Sequence, residues 1–302
     1  MSPSGTRAKG ARFDYTAVGH VTIDVMPDGS RRPGGGAFYA ALQAARLGRR
    51  ALILTRGVRA EIDALLEPYR GELELQIESA PHTTTLQTWG EGGERKQRVL
   101  AWAGALRDEP APSGGILHLA PVAREGPERW GGSAGFVGLT PQGLVRSWTG
   151  VGAEFSLLPA SAAGRLRGLG ARCDAIVVSE LERESCAPLL EAACLAGAVV
   201  AVTHGPRPTS ILHGSGEGDG GGVAELPVPV PELERVGDDL GAGDVFAAAF
   251  FLALHDGLRD SDAARFANAA AAVRMLGTGP GSIGDRAAID ARIDATSPGS
   301  GS

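Results

Sequence analysis

Short apolar runs alternate with helix-period segments along most of the chain. Tyr15–Gly19, Ala51–Thr55, Ile116–Ala120, Gly135–Leu139, Ala175–Ser179 and Val199–Thr203 are nearly continuous hydrophobic stretches. Runs of that length predict strands covered on both faces. Between them, Phe38, Ala41, Leu42 and Ala45 fall on one helical stripe, as do Leu189, Leu190, Ala193 and Cys194. For the second helix Ser185 reads as the N-cap and Gly197 as the C′ residue. The alternation as a whole predicts an α/β fold, a mostly parallel sheet with helices on both faces.

Two stretches break the buried-strand pattern. Thr83–Trp89 and Arg95–Ala101 are extended and polar on both faces, and Glu91-Gly92-Gly93 joins them as a hairpin. His20–Arg32 is similarly polar and runs into a proline and three glycines. An isolated polar hairpin is unstable. The segments at about 20–33 and 83–103 are therefore expected to form a β lid, covering a ligand or pairing with a second copy in a homodimer. Arg31, Arg32 and Arg98 lie in these segments and read as solvated. The run 214–222 reads as a loop between strands, since no helix pattern follows its glycines.

Composition narrows the function classes. The 302 residues carry a net charge of −6, with 29 Lys+Arg against 35 Asp+Glu, which argues against generic nucleic-acid binding. No apolar run is long enough to span a bilayer, and MSPSGTRAKGAR lacks the apolar stretch of a leader, so a cytoplasmic protein is expected. Cys173, Cys186 and Cys194 have neither a CxxC nor an even count and read as reduced core thiols. The six histidines show no metal-ligand spacing, and the four tryptophans are scattered. Residues 1–12 and 295–302 read as disordered ends around a domain spanning 13–294.

Two glycine motifs could carry chemistry. Gly34-Gly35-Gly36 runs into a helix expected over Ala37–Leu47. Gly241-Ala242-Gly243-Asp244 precedes a stripe of Phe246, Ala249, Phe250 and Ala253, which predicts a helix starting at or just after Asp244. Free N–H groups at a helix start favour negative charge. A carboxylate there can be a plain N-cap. Beside such a nest it can instead be the base that takes a hydroxyl proton while the nest neutralises a moving phosphoryl group.

On these residues the chain resembles the ribokinase-like (PfkB-type) carbohydrate kinases. Asp238-Asp239-Leu240-Gly241-Ala242-Gly243-Asp244-Val245-Phe246 is similar to that family's C-terminal signature. Gly34-Gly35 through Ala45-Arg46-Leu47-Gly48 is similar to its N-terminal one. Gly19 through Asp24, Ser179-Glu180-Leu181-Glu182, Thr203-His204-Gly205 and Ala267-Asn268-Ala269 resemble weaker family motifs. The resemblance implies a three-layer ribokinase-like sandwich with a small β lid, and transfer of the γ-phosphoryl group of ATP, with Mg²⁺, to a hydroxyl of a small sugar or polyol. It implies Asp244 as base, and Gly241, Ala242 and Gly243 as anion hole. Asp24, Gly35, Gly36 and Tyr39 would hold the acceptor, Thr203, Gly205 and Asn268 the nucleotide, and Glu182 the metal. Tyr39, Ser179 and Leu240 replace an Asn, an Asn and a Thr of the family pattern. A nucleoside acceptor, or a non-catalytic ligand-binding role on the same fold, are the alternatives.

Overall fold

The computed structural model describes residues 13–90, 94–107, 114–126, 134–214 and 223–296. The chain enters with β1 (Tyr15–Val18), turns out into β2 (Thr22–Val25) and β3 (Arg31–Gly34), and returns through α1 (Gly36–Arg46). β4 (Ala51–Gly57), α2 (Arg59–Leu65) and β5 (Leu73–Ser79) follow. A second excursion, β6 (Thr85–Trp89) and β7 (Lys96–Ala101), precedes β8 (Gly114–Leu119) and β9 (Ala134–Leu139). Short α3 (Gln142–Val145), the pair β10 (Arg146–Ser147) and β11 (Ser156–Leu157), and α4 (Arg167–Gly170) lead to β12 (Ala175–Ser179). Next come α5 (Glu180–Leu195), β13 (Val199–His204), β14 (Arg207–Gly214), β15 (Val223–Val228), α6 (Ala242–His255), α7 (Asp260–Met275) and α8 (Arg286–Thr296).

The main sheet has nine strands in the order β15-β14-β13-β12-β9-β8-β1-β4-β5. From β13 through β5 every pairing is parallel, and β14 and β15 are added antiparallel at one edge. All six expected strands are present. The strand period of two explains their unbroken hydrophobicity. Ala175, Val177 and Ala201 pack into one core with Phe38, Phe246, Phe250 and Ala264 of the helices. Ile176, Val178, Val200 and Val202 pack into another with Cys186, Leu189 and Ala193. The cysteines are buried free thiols. The edge strands β5 and β15, and β14 beside β15, escape the hydrophobic pattern because much of each faces solvent. The run 215–222 lies outside the described residues, as do 1–12 and 297–302 of the ends expected to be disordered, whereas residues 295 and 296 of the expected 295–302 tail close α8.

Two helix starts differ from the sequence reading. α5 begins six residues earlier than expected, because Ser179 is its N-cap, and Ser185 is buried inside the helix. Gly197 does follow the C-cap with a positive φ of 87°. α6 begins at Ala242 with Gly241 as N-cap, which puts Asp244 third in the helix.

The lid exists as a separate four-stranded sheet, β3-β2-β6-β7. The expectation that its hairpin is polar on both faces does not hold. Leu86 and Val99 are fully buried against Val122 and Ala123, with Trp148 and Phe155 around them. Two apolar residues on alternating strands are enough for an inner face, and distant loop residues supply the rest. The segment 152–155 extends this sheet, Gly152 N–H donating to the Val99 carbonyl and Phe155 N–H to that of Gln97.

Buried polar bonds stitch the roots of the lid to the main sheet. The fully buried Glu125 carboxylate accepts from the N–H groups of His20 (3.0 Å), Val122 (2.7 Å) and Ala123 (2.5 Å). Thr84 Oγ1 meets His20 Nδ1 at 2.8 Å and accepts from Ala103 N–H, while Thr55 Oγ1 accepts from Val21 N–H. Each buried donor left unsatisfied costs about 1–3 kcal/mol. Glu125→Ala is therefore expected to lower unfolding stability by roughly 3 kcal/mol or more, read as a fall in the urea midpoint at constant slope. A loss under about 1 kcal/mol would show that water replaces the carboxylate.

Candidate active site

Two glycine-led helices, α1 and α6, start at the same place above the carboxyl ends of the sheet strands. In an open α/β sheet that is where ligands bind. A cavity of about 180 Å³ opens there, and Asp24, Gly35, Gly36, Tyr39, Glu182, Thr203, Gly241, Gly243 and Asp244 line it. Those nine come from segments spread over the chain, and the sequence reading had singled out each of them. The lid closes the cavity from above with Leu86, Arg95 and Gln97.

The glycine turn sets the geometry. A Cβ on Gly34 would collide with the Asp24 carboxylate, and one on Gly36 would stand 2.8 Å from Asp244 Oδ1. Only bare backbone lets the start of α1 reach both carboxylates. Asp24 is buried, and its Oδ1 accepts from Thr22 Oγ1 at 2.8 Å. Burial pushes its pKa up to about 6, against the pull of the Thr22 hydroxyl and of Arg146 and Arg95. Asp244 is pushed up to about 7, first by burial and then by the Glu182 charge, with Arg146 opposing and Asp24 adding to the rise. Both are acids poised near neutrality, one over each end of the glycine turn.

At α6 the N–H of Ala242 donates to the Asp239 carbonyl at 3.1 Å, so Ala242 does not face the cavity as an anion-hole donor would. Gly243 and Asp244 keep first-turn N–H groups that have no intrahelical acceptor. Glu182 sits in the first turn of α5. Its Oε2 accepts from Ser179 N–H (3.2 Å) and Oγ (2.6 Å), and its Oε1 accepts from Gln142 Nε2 at 3.0 Å. Ser179, in place of the family's Asn, thus orients the carboxylate.

Gly205 and Asn268 do not join the group. Asn268 is buried, with Oδ1 accepting from Thr209 Oγ1 (2.9 Å) and Nδ2 donating to the Pro229 carbonyl (3.0 Å). Its side chain ties α7 to the antiparallel edge of the sheet. The cavity also contains residues that the sequence did not suggest, above all Arg95 and Arg146. Arg146 Nη1 donates to the Val122 carbonyl (3.2 Å), and the guanidinium lies 4.6 Å over the Phe155 ring. Burial pulls its pKa down, while Glu182, Asp244, Glu125 and Asp24 push it back up. Arg95 reaches from the lid to an ion pair with Asp239. Arg146 stands in an irregular segment with no periodicity to mark it. Of the lid arginines named from sequence, Arg98 stacks on Trp89 at 4.7 Å and Arg32 lies 3.7 Å from Asp238.

Among the described residues no group of three or more His, Cys, Asp or Glu side chains could hold a metal ion by itself, and no helix is long and apolar enough to cross a membrane.

Residues 173–285 match the family model described as pfkB family carbohydrate kinase. No match to a curated protein was found. Among solved structures, a pyrophosphate-dependent kinase of the ribokinase family, complexed with a pyrophosphate analogue and myo-inositol, is 22% identical, with a TM-score of 0.68 over 92% of this chain and 99% of that one. The nucleoside kinase of Methanocaldococcus jannaschii is 16% identical, with a TM-score of 0.70 over 95% and 99%. Fructokinase from Vibrio cholerae O395, with fructose, ADP and calcium bound, is 18% identical, with a TM-score of 0.68 over 93% and 99%. The resemblance to the PfkB-type kinases is borne out: residues 173–285, which include the signature at 238–246, match the pfkB carbohydrate kinases, and the chain has the ribokinase fold.

Proposed function

We propose that the protein is a kinase that transfers a phosphoryl group to a hydroxyl of a small sugar or cyclic polyol, with Asp244 as general base. The observation that carries this reading is the convergence, in one cavity, of the Asp244 carboxylate, the first-turn N–H groups of α6 and the buried Asp24. The acceptor sits against Asp24, Gly35, Gly36 and Tyr39 under the lid. Asp24 takes hydrogen bonds from its hydroxyls and fixes the one that faces Asp244. Asp244 removes that hydroxyl's proton as the bond to phosphorus forms. The N–H groups of Gly243 and Asp244, with Gly241 giving the backbone its turn, balance charge on the phosphoryl oxygens. Glu182 and Asp244 bring carboxylate oxygens to the cavity, the ligand type that Mg²⁺ prefers, and Mg²⁺ is commonly held jointly with substrate phosphates. When bound it supplies charge neutralisation for those phosphates, and Glu182 would hold it.

ATP is the donor expected from the family resemblance, with Thr203 and Gly205 on the nucleotide side. One observation favours a second reading, inorganic pyrophosphate. Asn268, a residue expected to hold the nucleotide, has its amide committed to Thr209 and Pro229, and neither it nor Gly205 lines the cavity. The fold neighbour named above as pyrophosphate-dependent makes that donor a direct comparison. A panel of hexoses, inositols and nucleosides, each with Mg·ATP and with Mg·pyrophosphate, separates these readings by measuring the phosphorylated product. No product from any pairing would leave a ligand-binding role.

On the acceptor that works, Asp244→Asn should lower turnover by roughly 10²–10⁴-fold and spare donor binding, since the amide cannot take the proton. Wild-type turnover should rise as the pH passes about 7, where Asp244 ionises. Near-normal turnover of the Asn variant would remove Asp244 from the mechanism.

Stability should move the other way with pH. Both carboxylates have folded pKa values above the ordinary one, so their contribution is full below about pH 4 and is lost as the pH rises through 6 and 7. Asp24→Asn cannot ionise. Its melting temperature relative to wild type should therefore increase between pH 4 and pH 8. A pH-independent difference would mean that Asp24 is not held as a raised-pKa acid.

A further inference from the structure

Arg274 is the largest fully buried side chain among the described residues, and the mechanism above does not use it. It stands in the last turn of α7, and both terminal nitrogens of its guanidinium face oxygen, while the buried Nε has no hydrogen-bond partner. Nη2 donates to the Leu240 carbonyl (2.6 Å) and to Asp238 Oδ2 (3.0 Å). Nη1 donates to the Asp238 carbonyl (3.2 Å) and to Ser282 Oγ (3.0 Å). Asp238 is tied in turn to the N–H groups of Leu240 (2.9 Å) and Gly279 (3.1 Å). Burial alone would raise its pKa, but these donors and the guanidinium outweigh that and hold it below the ordinary value. Arg32 of the lid also approaches Asp238, at 3.7 Å.

Two main-chain carbonyls, a hydroxyl and a carboxylate form the donor set of a small hard cation. A buried charge is costly unless fully compensated, and replacing such a pair by apolar residues is often neutral or stabilising. Packing alone therefore gives little reason for an arginine here. The cage is built from Asp238 and Leu240, the residues that lead directly into Gly241. With its carbonyl turned to Arg274, Leu240 is not an acceptor for α6, and the Asp244 N–H stays one of the orphan donors of the first turn. The same guanidinium lies 5.7 Å over the Tyr39 ring. That ring packs so closely on Gly241 that a Cβ there would strike it, and Gly241 has a φ of 80°.

We propose that Arg274 is a positioning residue acting as a tethered cation: its guanidinium fills an oxygen cage that would otherwise take a small monovalent cation, and so fixes the anion-hole loop and Tyr39 together. The protein then needs no free monovalent ion at this place. The effect on turnover rests on the phosphoryl-transfer reading above; occupancy of the cage does not.

The test uses the full chain with Arg274→Ala and Arg274→Lys, each in potassium, guanidinium or choline chloride at equal ionic strength. For Arg274→Ala, potassium and guanidinium should raise the melting temperature over choline, and a crystal soaked in thallium(I) should hold an ion against the Asp238 and Leu240 carbonyls and Ser282 Oγ. Wild type and Arg274→Lys, which carry their own cation, should be indifferent to the choice. On the confirmed acceptor, Arg274→Ala in choline should lose roughly 10²-fold in turnover, on the scale of a lost anion-hole donor, and recover part of it with either cation. If Arg274→Ala folds only in potassium or guanidinium, that selectivity is itself the expected result. An Arg274→Ala protein that responds equally to all three salts and binds no thallium would overturn the proposal, and so would wild-type turnover that is lost in choline and restored by potassium. Salt-selective stabilisation without turnover on any acceptor would instead count against the kinase reading and leave the cage in place.

Discussion

The contact between Gly36 and Asp244 is the constraint on which the site depends. The starts of α1 and α6 approach until a single Cβ would stand 2.8 Å from a carboxylate oxygen, and everything else in the cavity is arranged around that approach. A parallel sheet makes it available, because successive strand–helix turns emerge at one edge. The helix ends contribute positive potential, which is why two acids can sit there at all. A carboxylate in such a position has backbone N–H groups beside it and little solvent. That combination puts a buried acid and unpaired backbone N–H groups in one small region.

Charge in the cavity is finely balanced. Asp24, Asp244 and Glu182 line a space that burial makes hostile to carboxylates, and Arg146 is the cation they share. The lid adds Arg95, which is committed to Asp239. The raised acid pKa values and the lowered arginine pKa have one cause, the loss of water around the groups. Acids pushed toward neutrality in this way cluster at functional sites.

The lid is neither a free flap nor a part of the core. Its underside is a small apolar cluster around Leu86 and Val99, and its roots are held by the Glu125 and Thr84 hydrogen bonds. The segment 152–155 joins its outer strand, so Arg146 and Phe155 belong to the same layer as Gln97. Polar ties at the root and a modest apolar face hold it over the cavity.

The sequence by itself determined the sheet and the two glycine-led helices. Strands buried on both faces must be apolar at every position, so β1, β4, β8, β9, β12 and β13 were legible as runs. The glycine turns were legible because close backbone approach leaves a local mark. Nine residues read as functional from the chain alone line one cavity. Tertiary structure decided the rest, where a residue's role comes from neighbours far away in sequence. Asn268 belongs to the packing of α7 because Thr209 and Pro229 happen to face it. Arg146 carries no local signal, and only the fold brings it among carboxylates from four other segments. Arg274 looks like an ordinary helix-end arginine until the loops at 238–240 and 279–282 close around it. Local pattern records what a residue needs from its own backbone; charge compensation is settled only when separate segments meet.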